Sequence, residues 1–197
     1  MTPNTPAPTD GLHPRPLDRF PELAHLAADL LRKPPALLGL TDAEARCVVG
    51  HMQLFDCAKG SLLLRESDST ATGYMLLVLN GEVSVEITEP GKPGDAVSIS
   101  AQGAGALLGE MSLVDGEPRS TNCTALSAVQ AAGLSRSGLE ILMEQQPKVA
   151  AKLLAEVAGI IANRLRALSD QLRLYASLTE SMQREIERLK KANPFGR

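Results

Sequence analysis

The sequence lacks a long apolar run, and no stretch approaches the roughly 20 consecutive apolar residues that a membrane-spanning helix needs. No early segment joins basic residues to an unbroken apolar stretch, so no secretory signal is predicted. A soluble, cytoplasmic protein without a membrane partner is therefore expected. Hydrophobic residues still make up 44% of the 197 residues, enough to bury the core of one domain of ordinary size.

Cysteine and histidine are scarce. The three cysteines include no CxxC pair that would indicate zinc, a cluster or a redox couple. The three histidines have no companion ligands of the kind that a catalytic metal or haem iron requires. We therefore expect no metal and no cofactor. The residues concerned are Cys47, Cys57, Cys123, His13, His25 and His51.

Signs of an enzyme or of a nucleic-acid-binding protein are also missing. No Ser/His/Asp, Cys/His or paired-carboxylate set is evident from the spacing, so no enzymatic activity is predicted. The formal net charge of −3 argues against DNA as the main partner, because neutralising phosphates needs a concentrated basic face.

The amino-terminal part is predicted to hold a tail and two helices. Residues 1–16 are rich in Pro and Thr with almost no large apolar side chain, which predicts a disordered tail. Two helices are expected within 17–51. Apolar residues recur at helical spacing over 17–33, and a Pro-Pro pair then ends the pattern. Thr41 and Glu44 form a capping-box pattern, which predicts a second, short helix.

Residues 52–147 are predicted to form an antiparallel β-barrel or jelly roll, which makes the fold class α+β and mainly β. Over most of this range, short apolar runs alternate with Gly, Asp, Asn and Ser, a pattern typical of many short strands joined by turns. Asn80-Gly81 separates two such runs and predicts a tight hairpin, because Asn-Gly accepts two positive φ angles. A further turn is predicted at 89–94.

Residues 148–192 are predicted to form one long dimerisation helix. Gly159 is the single glycine or proline in this range, and the helix would be about 65 Å long at 1.5 Å per residue. Such a helix outruns a compact domain, so its apolar seam is expected to form a homodimeric coiled coil. The seam consists of Leu154, Ala158, Ile161, Leu165, Leu168, Leu172, Tyr175, Thr179, Met182, Ile186 and Leu189.

A segment from Leu107 to Ala125 has the features of an anion site. A glycine bend opens a short helical turn that ends at Gly116, and Arg119 follows a proline. Backbone N–H groups at a helix start attract anions, and a guanidinium suits phosphate. An ordinary surface salt bridge between Arg119 and Glu110 fits these residues equally well.

The stretch Gly-Glu-Met-Ser-Leu-Val-Asp-Gly-Glu-Pro-Arg-Ser-Thr at 109–121 resembles the phosphate-binding cassette of cyclic-nucleotide-binding domains. The resemblance to sensor domains like that of the bacterial catabolite activator protein covers about residues 38–169. It implies a regulatory protein that binds cyclic AMP or cyclic GMP.

Carried over by position, the resemblance implies a role for each cassette residue. Gly109 would offer backbone contacts, Glu110 would accept a hydrogen bond from the ribose 2′-hydroxyl, and Arg119 would pair with the exocyclic phosphate. The chemistry is consistent, since one cyclic phosphodiester charge is matched by one guanidinium. The expected ligand-binding residues in the cassette are Leu108, Gly109, Glu110, Met111, Ser112, Arg119, Ser120 and Thr121.

The long helix also carries candidate ligand contacts. Residues 163–169 resemble the stretch that contacts the base in catabolite activator protein, which makes Arg164 and Ser169 candidate base contacts. The open alternative is a solvated helix flank in which Arg164 and Arg166 pair with nearby acids. Cyclic AMP is favoured over cyclic GMP, and a dinucleotide remains open.

Bacterial regulators of this family normally continue from the long helix into a helix-turn-helix domain, whereas this sequence ends soon after its last heptad. We therefore predict a homodimeric cyclic-nucleotide receptor without a DNA-binding domain that signals through a protein partner. The alternative is a nucleotide-independent dimeric interaction module with a vestigial barrel.

Overall fold

The computed structural model describes residues 14–33, 39–67, 73–88 and 96–192. They fall into two compact units, one within Met1–Glu156 and one within Val157–Arg197. The strands are β1 (Arg15–Pro16), β2 (Met52–Cys57), β3 (Leu62–Leu64), β4 (Tyr74–Asn80), β5 (Val83–Thr88), β6 (Ala96–Gln102), β7 (Leu107–Leu108), β8 (Asn122–Ala125) and β9 (Val129–Ser135). The α-helices are α1 (Pro21–Leu31), α2 (Asp42–Val49), α3 (Glu110–Asp115), α4 (Arg136–Gln145) and α5 (Pro147–Ala192).

The amino-terminal helices follow the sequence pattern with one shift. A 3-10 turn covers Leu17–Arg19, and α1 begins only at Pro21, where a proline suits the first helical turn. α2 has the predicted capping box: the Thr41 hydroxyl accepts from the Glu44 N–H, and the Glu44 carboxylate accepts from the Thr41 N–H.

Most of the predicted disordered tail lies outside the described residues. Residues 1–13 lie outside the described part of the chain, but Arg15 and Pro16 form β1, which pairs antiparallel with β2. The Arg15 guanidinium also pairs with the Asp56 carboxylate. The disorder prediction was therefore wrong for these two residues, because edge pairing compensates for their lack of apolar surface.

The first unit contains two antiparallel sheets, as predicted for a jelly roll. The five-stranded sheet has the order β1-β2-β9-β4-β7, and the four-stranded sheet has the order β3-β8-β5-β6. The core between them includes Phe55, Leu76, Val83 and Leu108. Gly133 in β9 allows close packing, since an added Cβ would lie 2.5 Å from Phe55 Cε2.

The hairpin predicted at Asn80-Gly81 was wrong. β4 and β5 belong to different sheets, so Asn80-Gly81 carries the chain from one sheet to the other. Gly81 has a φ of 89°, but Asn80 is absent from the positive-φ residues of the described chain. Gly81 is required by packing, because a Cβ would lie 2.2 Å from the Ala128 carbonyl oxygen. β4 is buried from Met75 to Leu79 and pairs with β9 and β7.

Two further features of the barrel are the turn predicted at 89–94 and the helix α4. The turn predicted at 89–94 lies outside the described residues, although the flanking strands β5 and β6 pair antiparallel. α4 was not predicted. Its N-cap is Ser135, whose hydroxyl accepts from the Gly138 N–H at 3.0 Å, and it buries Leu139 and Leu142.

The first turns of α5 belong to the first unit. Val149, Ala150 and Leu153 are buried there. Lys152 Nζ lies 2.7 Å from both Glu44 carboxylate oxygens, and the Leu40 N–H donates to Glu156 Oε1 at 3.3 Å. The Lys152 hydrogen bond, aided by the Thr41 N–H, lowers the pKa of Glu44 to about 2. Burial raises the pKa of Glu156, opposed by the Leu40 N–H and by Lys152.

The described part of the second unit is the rest of α5, which is one continuous helix as predicted. Its large apolar seam residues from Leu165 to Leu189 are exposed, with relative exposures between 49% for Ile186 and 68% for Leu172. Within the part of the chain that the structure describes, no helix has the length and apolar character needed to cross a membrane.

Candidate phosphate-binding cassette

Gly109 sets the geometry at the start of the cassette. It follows β7 and precedes α3 in the left-handed conformation, with φ 71° and ψ 19°. An added Cβ would lie 2.3 Å from Arg119 Nη1 and 2.9 Å from Leu64 Cδ1. Glycine is therefore required twice, for the backbone angle and for the close approach of the guanidinium.

Arg119 is the buried cation of the cassette, with only 8% of its surface exposed. Its Nη1 donates to the Gly109 carbonyl oxygen at 2.7 Å, and its Nη2 donates to the Tyr74 carbonyl oxygen at 2.8 Å. Its own carbonyl oxygen accepts from the Ser67 N–H at 2.8 Å. These two carbonyl oxygens fix the orientation of the guanidinium plane.

Glu110 is the buried anion of the same segment. Its side chain, in the first turn of α3, is 1% exposed. Glu110 directly follows Gly109, whose carbonyl oxygen accepts from Arg119, so the cassette contains an acid and a guanidinium that are both largely removed from water. Buried charges of this kind need fixed polar partners, which is typical of functional sites more than of surface turns.

The remaining cassette residues predicted from the sequence differ in exposure. Leu108 is buried in β7, Met111 is 46% exposed, and Ser112 is half-buried. Ser120 is exposed and Thr121 is half-buried just before β8. The Arg119–Gly109 hydrogen bond brings the two predicted stretches, 108–112 and 119–121, together.

α3 ends where the glycine pattern predicted. Gly116 is its C-cap, with a φ of 75°, and its N–H donates to the Ser112 carbonyl oxygen. Arg136 packs over this glycine, since an added Cβ would lie 2.5 Å from Arg136 Nη1. The Asp115 carboxylate accepts from the Glu117 N–H at 2.9 Å, which fixes the following turn.

Arg164 and Ser169 lie in the second unit, on α5. Arg164 is exposed, and the Ser169 hydroxyl donates to the Leu165 carbonyl oxygen at 2.9 Å, four residues back. The solvated-flank alternative had Arg166 pairing with an acid. Arg166 instead donates to Asn163 Oδ1 at 2.7 Å, and Asp170 pairs with Arg173. The role of Arg164 and Ser169 as base contacts stays a prediction.

The residues that hold Arg119 from outside the cassette were not predicted from the sequence. Tyr74 and Ser67 act through backbone atoms, and Asn122 Oδ1 accepts from the Glu66 N–H at 2.8 Å. Every residue type carries the same backbone carbonyl group, so the sequence alone does not mark Tyr74 as a partner of Arg119. Only the position of β4 in the sheet could have identified it. Within the described ranges, no group of three or more His, Cys, Asp and Glu side chains is arranged to hold a metal ion.

Comparisons with known proteins agree with this geometry. A family model described as a cyclic nucleotide-binding domain matches residues 54–146. A cyclic nucleotide-binding domain from Methylobacillus flagellatus is 31% identical with a TM-score of 0.72, over 82% of this chain and 87% of that chain. The N-terminal domain of a transcriptional regulator from Streptomyces coelicolor is 31% identical with a TM-score of 0.58, over 72% of this chain and 96% of that chain.

A CRP-like cAMP-activated global transcriptional regulator from Mycobacterium tuberculosis is 22% identical over 144 residues. The match covers 73% of this chain and 61% of the relative, so the chain spans about three fifths of the length of the curated relatives it matches. The resemblance found in residues 109–121 is thus confirmed by relatives above 30% identity that are covered almost in full. The chain belongs to the cyclic-nucleotide-binding domain family.

Proposed function

We propose that this chain is a non-enzymatic receptor that binds a cyclic nucleotide at its cassette. The observation that carries the proposal is the buried guanidinium of Arg119, which the Gly109 and Tyr74 carbonyl oxygens hold in place. A guanidinium already oriented in the protein does not have to be ordered when the ligand arrives, so less affinity is lost on binding.

The chemistry of the cassette fits a cyclic phosphodiester on a ribose. Such a ligand carries one negative charge, which Arg119 would match, and the exposed hydroxyl of Ser120 would add a hydrogen bond. The buried carboxylate of Glu110 would accept from a ribose 2′-hydroxyl, which favours ribose over deoxyribose. These groups bind without supplying a general base aimed at the phosphate, which is why we propose a receptor and not a hydrolase.

Cyclic AMP is the proposed ligand, with cyclic GMP as the weaker one. This preference is supported by the Mycobacterium tuberculosis relative, which is named as cAMP-activated and matches over 144 residues. Arg164 and Ser169 are proposed as base contacts on the basis of the family resemblance. Their contribution would separate the two nucleotides, since hydrogen bonding to the base edge decides between adenine and guanine.

We further propose that two copies pair through α5 and signal to a protein partner. The proposal is supported by the large apolar side chains that recur in heptads along this helix, exposed by between 49% and 68%.

Leu172 lies in this seam, whereas the exposed Ser177 lies on the opposite face. We expect Leu172→Lys to convert a dimer to monomer in analytical ultracentrifugation, while Ser177→Lys stays dimeric. A wild-type monomer, or a dimeric Leu172→Lys variant, would contradict the proposed seam.

Isothermal calorimetry of the full chain, freed of nucleotide, tests the ligand. We expect cyclic AMP to bind with micromolar or tighter affinity. Arg119→Ala should weaken it at least about 30-fold, since truncating one partner of a buried charged contact costs about 2–5 kcal/mol. Arg173→Ala is the matched control, because Arg173 is 82% exposed and pairs only at the surface with Asp170.

Two outcomes would separate the candidate functions. Binding that Arg119→Ala abolishes and Arg173→Ala leaves intact supports the receptor. No heat with either nucleotide, in wild-type protein shown to be folded by circular dichroism, would refute it. That result would favour the second candidate, a nucleotide-independent dimeric module, which the exposed seam of α5 supports independently of the cassette.

A further inference from the structure

The connection between β3 and β4 contacts Arg119 from both of its described ends. At the near end, the Ser67 N–H donates to the Arg119 carbonyl oxygen at 2.8 Å. At the far end, the Tyr74 carbonyl oxygen accepts from Arg119 Nη2, and an added Cβ on Gly73 would lie 3.4 Å from the same nitrogen. The near end therefore holds the backbone of Arg119, and the far end holds its side chain.

Ser67 has an unusual backbone conformation. Among the described residues, it is the single non-glycine with a positive φ, 63°. Side chains with a Cβ disfavour this left-handed region, which Gly and Asn enter most readily. Strained residues of this kind persist where the surrounding structure fixes them, and they concentrate at functional sites.

The left-handed turn at Ser67 has a specific effect on the cassette. The N–H of Glu66 donates to Asn122 Oδ1, and the N–H of Ser67 donates to the Arg119 carbonyl oxygen. Two consecutive backbone donors thus reach both ends of the short segment that carries Arg119, Ser120 and Thr121. A different φ at Ser67 would turn one of these donors away from the segment.

We infer that Ser67 is a positioning residue for ligand binding, which acts through its left-handed backbone and not through its hydroxyl. The inference rests on the proposed function and deepens it. The Ser67 N–H fixes the position of the Arg119 backbone, while the Gly109 and Tyr74 carbonyl oxygens fix the guanidinium. Both ends of the Arg119 side chain are therefore held in place. Sites of this kind need their charged groups held to within about 0.5 Å.

Two substitutions at Ser67 distinguish backbone from hydroxyl. Ser67→Gly removes the hydroxyl but favours the left-handed backbone, whereas Ser67→Thr keeps a hydroxyl and adds β-branching that disfavours it. We expect cyclic AMP to bind Ser67→Gly within about twofold of wild type. Ser67→Thr should bind about 2–5-fold more weakly, less than the full cost of a left-handed residue, because serine already bears part of that cost. Ser67→Asn, which tolerates this region, should restore binding.

Gly60→Thr is the matched control for local strain. Gly60 also has a positive φ, 84°, and an added Cβ there would meet nothing within 4 Å. It should lose at least as much thermal stability as Ser67→Thr, because Gly60 starts without a Cβ, but keep the wild-type dissociation constant. Calorimetry and thermal unfolding of the full chain, measured on all four variants, provide both quantities.

The outcomes distinguish this inference from the proposed function. Tight binding by Ser67→Thr together with weak binding by Ser67→Gly would assign the role to the hydroxyl and overturn the inference. Equal affinity in wild type and all variants would overturn it while the proposed receptor stands. A folded wild-type protein that binds neither cyclic nucleotide would refute the proposed function, and the inference with it.

Discussion

Replacing Gly109 with alanine tests the cassette at its most constrained position. The substitution adds one methyl group to a residue with a φ of 71°, and that methyl would lie 2.3 Å from Arg119 Nη1 and 3.1 Å from its Cζ. Leu64 Cδ1, at 2.9 Å, blocks the other direction. The backbone cannot relax without moving α3, and the guanidinium cannot stay where it is.

Two contributions set the size of the effect. A left-handed alanine costs about 1–2 kcal/mol relative to glycine. Displacing Arg119 also breaks its hydrogen bond to the Gly109 carbonyl oxygen, and bonds from charged donors contribute about 1.5–3 kcal/mol. Because the two are coupled, we expect Gly109→Ala to lower the free energy of unfolding by about 2–4 kcal/mol, which corresponds to about 4–16 °C in Tm.

Thermal unfolding and calorimetry measure the two consequences separately. Below its Tm, Gly109→Ala should bind cyclic AMP as poorly as Arg119→Ala, since both remove the guanidinium from its place. Gly103→Ala is the control, because an added Cβ there would meet nothing within 4 Å and its φ is not positive. A Gly109→Ala protein with wild-type Tm and wild-type affinity would refute the assignment of Gly109 as the residue that makes room for Arg119.

Three further predictions concern α5 and its anchoring. Because hydrogen bonding to Lys152 lowers the pKa of Glu44 to about 2 from 4.5, its stabilising effect should be complete above about pH 4.5 and disappear as pH falls towards 2. A stability difference between wild type and Glu44→Gln that stays constant over this range in chemical denaturation would contradict it. Burial raises the pKa of Glu156, so its ionised form destabilises the fold as pH rises through that pKa. Glu156→Gln, which can still accept from the Leu40 N–H, should therefore raise the Tm at pH 7–8, with a gain that shrinks in acid, and a lower Tm at pH 7–8 would refute this. Gly159→Ala should stabilise the helix by about 1 kcal/mol, because the site is open, and a loss of helical circular dichroism on heating at lower temperature than wild type would contradict it.

Local signals in the sequence predicted much of the fold. The capping box at Thr41 and Glu44, the single long helix α5 and the left-handed glycines at both ends of α3 each follow from the chemistry of a few neighbouring residues. Where the outcome depends on distant strands, local signals failed. Asn80-Gly81 carries a strong hairpin pattern, but β4 is apolar on both faces and is buried between β9 and β7, so tertiary pairing overrides the turn.

The same distinction between local pattern and distant contacts applies to the candidate site. Gly109, Glu110 and Arg119 were predicted because their side chains, or the lack of one, carry the cassette pattern. The groups that orient Arg119 were not predicted, because the Tyr74 carbonyl oxygen and the Ser67 N–H exist at every position of a chain. Only the fold determines which of these identical groups faces a buried guanidinium.

The position of Arg119 relative to the two sheets has a mechanical consequence. Its guanidinium is held by Tyr74 in β4 and by Gly109 just after β7, both in the five-stranded sheet. Its backbone is held by Ser67, which follows β3, and leads into β8, both in the four-stranded sheet. Arg119 therefore links the two sheets, and an anion bound to it would stabilise the contacts to both. Moving one sheet relative to the other would have to break these contacts. Bound ligand should therefore raise the temperature of a single unfolding transition in which both sheets melt.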